Sequence, residues 1–513
     1  MSHWIVVPFL LPALTACVLL ALRGNLPVQR VVSVVSTFVL LAVSAGLVAH
    51  ASGGDVLVYA FGDWPARIGI AFVLDRLAAL MIGLAAVVAC ASLLYAIQGW
   101  DSRGPHFHAL FQFQLMGLNG AFLTGDLFNL FVCFELMLIA SYALLQHGGG
   151  AQRLKAGLHY VVLNLLGSAL FLVAAAILYR VGGTLNMADL AIVLAGAPPE
   201  HAPWIRAGAL LLLAVFLLKA AAAPLYLWLP GTYGAASAPV ACLFTVLTKV
   251  GVYAVARVAL LVFGSSAAME PIATVVLPAA LVSLVCAALG AFAAVTLTQL
   301  ASWLALGSSA MLLAAVGLFS VPGLSGGLYY LLASTLAVPA LFLLADALAG
   351  ARGSFGDRLC RAPRMHGAAS IGALYFTVAV AVAGLPPLAG FLGKLSILQG
   401  AGPLPWFWAI VLGTSLLNLV ALVRAGTRLF WSTDSGPGDG LPSSASMRRL
   451  GPVAFLVTAI LALTILARPV DRYTREAAHN AVAPVTYIES VLGSTGVGWS
   501  IEIDPAQPQG GSR

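Results

Sequence analysis

The sequence predicts an all-α polytopic membrane protein, and three observations carry that prediction. Of the 513 residues, 61% are hydrophobic and only 8% are charged, against roughly a quarter charged in soluble domains. Mean hydropathy is +1.00, and apolar runs of ~20 residues, long enough to span a bilayer core as helices, recur along the chain. The runs are continuous, where barrel strands are short and alternate in polarity. Helices satisfy their own backbone groups in lipid, which leaves them as the spanning element.

Dividing the runs at charged or Gly/Pro-rich breaks gives about fourteen spans. They fall at 4–23, 30–49, 72–98, 108–125, 127–146, 155–180 and 206–231. The remainder are 238–263, 272–296, 298–320, 325–349, 369–400, 406–430 and 450–467. The first run lacks a basic leader and ends at Arg23 without a small-residue cleavage site, so it reads as a retained helix, not a signal peptide. The tail from Arg468 to Arg513 is polar and contains Gly and Pro, and is expected to be partly disordered.

Two spans are interrupted alike. One, at 210–230, carries Pro224 in mid-span and Pro230 at its end; the other, at 380–398, gathers Gly384, Pro386, Pro387, Gly390 and Gly393. Proline removes a helical hydrogen bond and kinks or breaks the helix. Paired broken spans point to a transporter built from inverted repeats. The expected organisation is N-terminal helices 1–3 (1–107), a five-helix repeat of helices 4–8 (108–263), a second of helices 9–13 (264–430), and a last helix with the tail (431–513). Each repeat then has its broken helix fourth.

Basic residues cluster in the loops after odd-numbered helices, among them Arg23, Arg30, Arg103, Arg153, Lys155, Arg352, Arg358, Arg448 and Arg449. The positive-inside tendency makes those loops cytoplasmic and both termini periplasmic in a bacterial inner membrane. The net charge of +7 therefore reports topology and does not call for a nucleic-acid partner. The six cysteines are dispersed, with neither disulfide nor metal-ligand spacing. Neither a phosphate-cradling loop nor a cofactor fingerprint is present, so no cofactor is expected.

Four ionisable residues lie inside apolar runs: Glu135, Lys219, Lys249 and Lys394. Each costs roughly 2.5–3.5 kcal/mol to insert at a helix centre, and so marks an ion path or a buried pair. A lysine in apolar surroundings holds its proton weakly, and a nearby carboxylate strengthens that hold. If Glu135 approaches or leaves Lys219, proton affinity switches, and a row of lysines can pass protons in the membrane plane through water. A static Glu135–Lys219 bridge gluing two helices is the blander alternative, and Lys394 could instead snorkel to an interface. Asp126 reads as a helix N-cap, and Asp75 and Arg76 either pair or sit near an interface. His159 suits either a relay or a structural hydrogen bond, and Asp346 sits near a helix end. Asn129, Asn164 and Asn418 read as interhelical hydrogen-bond partners, and no dense oxygen cluster along the sequence marks a sodium or potassium site.

The stretches TGDLFNLFVCFELMLIASYALL (124–145) and LKAGLHYVVLNLLGSALFLVAAAILYRVGGTLNMADLA (154–191) resemble the D-type subunit of the Mrp-type (Pha, Mnh) multisubunit cation/proton antiporters. Two further motifs, LLKAAAAPLYLWLPGTYGAASAPVACLFTVLTKVGVYAVARV (217–258) and AGLPPLAGFLGKLSIL (383–398), are shared more widely with the proton-pumping antiporter-like subunits of complex I. The resemblance covers roughly residues 65–430. It implies a hetero-oligomer of six or seven different subunits exchanging sodium or potassium for protons. Glu135 looks like the family's fifth-helix glutamate, Lys219 like its partner in the broken seventh helix, Lys249 like the eighth-helix lysine and Lys394 like that of the broken twelfth helix. Tyr226 stands where many relatives have histidine. Basic residues that relatives often carry in helices 10 and 11 are missing from 296–309 and 331–348, so the path from Lys249 to Lys394 would rely on Ser334, Thr335 and water. A proton-pumping module of complex I or of a membrane hydrogenase is the alternative reading.

Overall fold

The computed structural model describes residues 2–365, 367–437 and 443–493. After a short 3-10 turn, the chain runs through α1 (Val7–Ala21), α2 (Leu26–Ala51), α3 (Arg76–Ala96), α4 (Phe107–Leu123) and α5 (Leu127–Gln146). Then come α6 (Ala151–Gly182), a short α7 (Met187–Ala195), α8 (Ala202–Lys219), α9 (Trp228–Ala235) and α10 (Ala238–Leu261). The second half holds α11 (Met269–Ala293), α12 (Leu297–Val316), α13 (Val321–Arg352), α14 (Ala368–Ala383), α15 (Ala389–Gly400) and α16 (Pro405–Gly426). It closes on α17 (Ser443–Ile465), α18 (Ala467–Val482) and α19 (Val485–Leu492). Two small ribbons join loops: β1 (Leu57–Ala60) antiparallel to β2 (Ala71–Leu74), and β3 (Ala362–Arg364) parallel to β4 (Thr433–Pro437).

Among the described residues, twelve helices are long and apolar enough to cross a membrane, which makes this a multi-pass membrane protein. The expected fourth span is the 17-residue α4. The seventh divides into α8 and α9, and the twelfth into α14 and α15. Helices α10, α12 and α13 are buried almost all round and form the bundle's centre, while α2, α6 and α16 turn broad apolar faces outward. A helix apolar on every side suits either position in lipid, so its sequence alone does not say which it takes.

Both breaks have their freed backbone groups satisfied by neighbouring helices, as a non-helical segment at membrane depth requires. At the first, Ser309 Oγ donates to Ala220 O (2.8 Å), Ala223 N–H donates to Ser283 Oγ (2.6 Å) and Trp228 Nε1 donates to Leu218 O (3.0 Å). At the second, Gly384 closes α14 with φ 73°, and Thr464 Oγ1 accepts from Ala389 N at 3.0 Å. Gly251 lets α10 press onto the first break: a Cβ there would overlap Ala220 N and stand 2.6 Å from the Lys219 carbonyl carbon.

The first half of the tail is helical: α18 packs across the ends of α3, α10 and α13, and α19 packs against α7 and β1, burying Thr474, Ala477, Ala478, Ala481 and Tyr487. A 3.6-residue stripe of small residues hidden among arginines produces this, and net polarity conceals it. Residues 494–513 lie outside the described residues. Asp75 and Arg76 are not each other's partners. Asp75 caps α3 and binds Arg257 of α10 twice, at 2.7 Å each, whereas Arg76 pairs with Glu476 at 2.8 Å.

Candidate proton path

Glu135 stands in the middle of α5, half-buried, and Lys219 is the last residue of α8, 6% exposed. The two charges do not meet directly. Ser168 Oγ donates to Glu135 Oε1, and Lys219 Nζ donates to Asn164 Oδ1 at 3.3 Å. Ser168 and Asn164 are four apart on α6 and so share one face of it; Ser168 Oγ also lies 3.0 Å from Asn164 O. The blander alternative, a direct Glu135–Lys219 bridge, is therefore not what links them; two neutral side chains of α6 stand between the charges. The ring of Phe134 lies 5.8 Å from Lys219 Nζ, adding a cation–π contact.

Lys249 is 1% exposed in α10. Its Nζ donates to Ser308 Oγ of α12 at 2.5 Å and reaches Thr248 Oγ1 at 3.4 Å. Ser309, next to Ser308, is the residue that holds the Ala220 carbonyl just beyond Lys219. Adjacent serines of α12 thus contact the surroundings of both lysines.

Lys394, 8% exposed on α15, folds back onto the end of α14. Its Nζ donates to Ala383 O (2.8 Å), Val382 O (3.4 Å) and Ser415 Oγ of α16 (3.2 Å). A cation is favoured there by the partial negative charge on terminal helix carbonyls. The ammonium is thus held at the break and does not snorkel. A cavity with room for about one or two waters runs between Ser308 and Lys394, walled also by Tyr330, Ser334, Ser415 and Asn418. Ser334 lines it, as expected of a polar link; Thr335 is not in its wall.

The other candidates fall around this row. Pro224 lies in the first break, and Pro386 and Pro387 in the second. Asp126 caps α5, accepting from Asn129 N at 2.8 Å. Tyr226 is half-buried in the first break with its ring 6.3 Å from that of Trp303. His159 is exposed on α6 and is not brought to the row. Asp346 is a tether, accepting from Tyr95 OH (2.7 Å) and Trp100 Nε1 (3.2 Å) and pairing with Arg449 (3.3 Å).

Sequence reasoning passed over Ser168, Ser308, Ser309 and Ser415, whose hydroxyls are common in membrane helices and carry no insertion anomaly. It also passed over Arg257, a charge in an apolar run whose spacing of eight from Lys249 places it two turns along the same face of α10.

In the loop between α3 and α4, Asp101 takes Arg30 Nε (2.6 Å), Arg30 Nη2 (2.8 Å) and His108 Nε2 (3.2 Å). Burial alone would raise the Asp101 carboxyl, but the His108 and Arg30 hydrogen bonds outweigh it and hold it at about 2.

A family described as NADH:quinone oxidoreductase/Mrp antiporter, transmembrane, matches residues 124–419, a segment that holds all four charges. The chain is 38% identical to the D-type subunit of a probable K(+)/H(+) antiporter of Rhizobium meliloti (strain 1021), covering 97% of this chain and 99% of that one. It is 32% identical to the D-type subunit of a Na(+)/H(+) antiporter of Alkalihalophilus pseudofirmus, over 96% and 100%. It superposes with TM-score 0.84 and 26% identity on a chain of the Mrp complex from Dietzia sp. DQ12-45-1b, over 96% of this chain and 100% of that one. By a family match over more than half its length and a relative aligned nearly end to end, the chain belongs to the NADH:quinone oxidoreductase/Mrp antiporter transmembrane family.

Proposed function

We propose that this chain is the proton-translocating subunit of a multisubunit monovalent cation/proton antiporter, acting in the membrane with several different subunits. The observation that carries the reading is the alternation of buried charge with neutral hydroxyl or amide: Glu135, Ser168–Asn164, Lys219, then Lys249, Ser308, the cavity and Lys394. Each charge has a neighbour able to pass or hold a proton, and among the described residues none of the four is locked in a direct ion pair. Gluing would favour a paired Glu135 and Lys219. Protons entering down the proton-motive force move along this series, and cation export is coupled to them. One relative is named for K+ and another for Na+, so both ions are candidates here.

The likeness of the α8–α9 and α14–α15 breaks supports fourteen spans arranged as two inverted five-helix units, 108–263 and 264–430. The crowding of arginines on one side supports periplasmic termini in a bacterial inner membrane.

The test is collapse of a respiration-generated pH gradient on adding Na+ or K+ to inside-out vesicles. The cells lack their own antiporters and express the whole gene cluster. Wild type responds, and Lys219→Ala at matched assembly does not. Full exchange in that variant refutes the series, and silence of an assembled wild type toward both ions refutes the antiporter.

A further inference from the structure

We infer that His108 is a regulatory proton site apart from the transport row: a proton taken up there clamps α4 to α2 and, through α4, restrains Glu135. The inference rests on the antiporter reading and names a control on it.

His108, the second residue of α4, and Gln112, one turn on, share a face of that helix, and both are fully buried. His108 Nε2 lies 3.2 Å from Asp101 Oδ2, and Arg30 of α2 holds the same carboxylate through two nitrogens. Gln112 Nε2 donates back to α2, to Thr37 Oγ1 (3.1 Å), Ser33 Oγ (3.2 Å) and Ser33 O (3.4 Å). The chain of contacts thus starts and ends on α2, and it is open at one point. Among the described residues, His108 Nδ1 and Gln112 Oε1 are buried without hydrogen-bond partners.

One proton closes the chain. Neutral imidazole has a single N–H, and with that hydrogen on Nε2 toward Asp101, Nδ1 can only accept, as Gln112 Oε1 can only accept. Charged imidazole donates from both nitrogens, so Nδ1–H can serve Gln112 Oε1 directly or through one water. The Arg30 side chain is 35% exposed, so water at this end of the bundle supplies the proton. Arg30 and Asp101 balance each other, and the proton brings the cluster to +1.

The other ionisable groups on the elements packed around α4 are engaged elsewhere. His147, at the end of α5 and across the Phe107 ring, turns its Nε2 to Trp100 O (2.9 Å). Arg153 of α6 donates to Ala235 O and His147 O, and Arg103 stacks on the Trp100 ring. Cys90 of α3 donates to Thr37 O, and Tyr253 of α10 meets α4 at its far end, on Phe122 O. On α1 the one ionisable side chain is Cys17, which is exposed.

The clamp reaches Glu135 because α4 and α5 pack closely around it. A Cβ on Gly117 would stand 2.6 Å from Met137 N, and one on Gly120 would stand 2.7 Å from Cys133 Sγ. Met137 and Cys133 lie two residues to either side of Glu135. With α4 clamped, Glu135 is held at one distance from Lys219. Exchange, which needs that distance to change, slows as His108 gains its proton.

The test compares His108→Gln with wild type in the whole complex in liposomes. The initial rate of proton movement is driven by a Na+ or K+ gradient from equal pH on both sides. Glutamine keeps a donor for Asp101 and takes up no proton. Imidazole is the side chain that changes charge between about pH 5 and 8. The rates should match at the alkaline end and part at the acid end, the variant then about fivefold faster, as one net hydrogen bond allows. Gln112→Met, which removes the acceptor, should behave as His108→Gln does. Amide hydrogen exchange over the first turns of α4 reads the clamp without transport, and should be about fivefold faster in His108→Gln at the acid end alone. Ratios that stay constant with pH would mean that His108 only packs, and overturn the site. If wild type still exchanges cations, that result removes the site and leaves the antiporter reading. If amide exchange shows the clamp and an assembled wild type moves neither ion, the antiporter reading falls and the proton site stands.

Discussion

Glu135 and Lys219 are joined through two side chains of α6, Ser168 and Asn164, four residues apart, and do not touch. The separation matters because a direct buried pair would trap the proton on the lysine, and breaking it would cost ~3–5 kcal/mol. A neutral bridge keeps the carboxylate within electrostatic reach without tying it to Lys219, as the proposed relay requires.

Breaking that bridge should therefore impair transport more than it impairs folding. Asn164→Leu removes the acceptor of Lys219 Nζ, and Ser168→Ala removes the donor to Glu135. Each is expected to lower exchange about tenfold or more at matched assembly, corresponding to ~1.4 kcal/mol or more. Dye-monitored exchange against the amount of assembled complex by immunoblot checks this, and normal exchange in both variants would rule the bridge out.

Ser308 links Lys249 to the cavity beside Lys394. Ser308→Ala should cut exchange while Ser308→Thr, which keeps the hydroxyl, retains most of it. Equal losses in the two would mean that packing, and not the hydroxyl, matters at this point.

Gly251→Ala places a methyl against the backbone of Lys219 and Ala220, which cannot rotate away. Overpacking of this kind costs typically 1–3 kcal/mol, and both thermal stability and exchange should fall. Gly413→Ala, in open space on α16, is the matched control and should change neither.

For Asp101 the sign follows from a depressed carboxyl. Its folded value of about 2 lies below the ordinary 3.8, so the stabilisation is complete above pH 3.8 and fades as pH falls through 2. Asp101→Asn should lower stability by ~3 kcal/mol at neutral pH, since Arg30 and His108 lose the negative charge and one of the two acceptor oxygens they share. The gap between variant and wild-type melting temperatures should narrow below pH 3.8; a gap constant from pH 6 to 2.5 would contradict the assignment.

Glu135, Lys219, Lys249 and Lys394 were legible because a charge inside an apolar run is an energetic anomaly that needs no neighbours to be seen. The two breaks were legible for the same local reason, proline and glycine in mid-span. What links the charges was not. Ser308 belongs to α12, Ser334 to α13, Lys394 to α15 and Ser415 to α16, and they share a cavity only once those helices are packed. Asn418 looked like an interhelical partner, yet its oxygen is left unpaired beside that cavity among the described residues. The helices of the tail were hidden as well: the arginines of α18 dominate its composition, whereas the four small residues it buries decide its structure.

Gly251 follows Lys249 by two residues on α10, and its missing side chain lets that helix rest on the main chain of Lys219 and Ala220. Backbone against backbone leaves no flexible side chain to absorb a displacement. A rearrangement of the first break must therefore shift α10 and carry Lys249 with it, against the hydroxyl of Ser308. The two lysines are geared to each other, and a change of charge at one can be felt at the other as movement before any proton has crossed the gap.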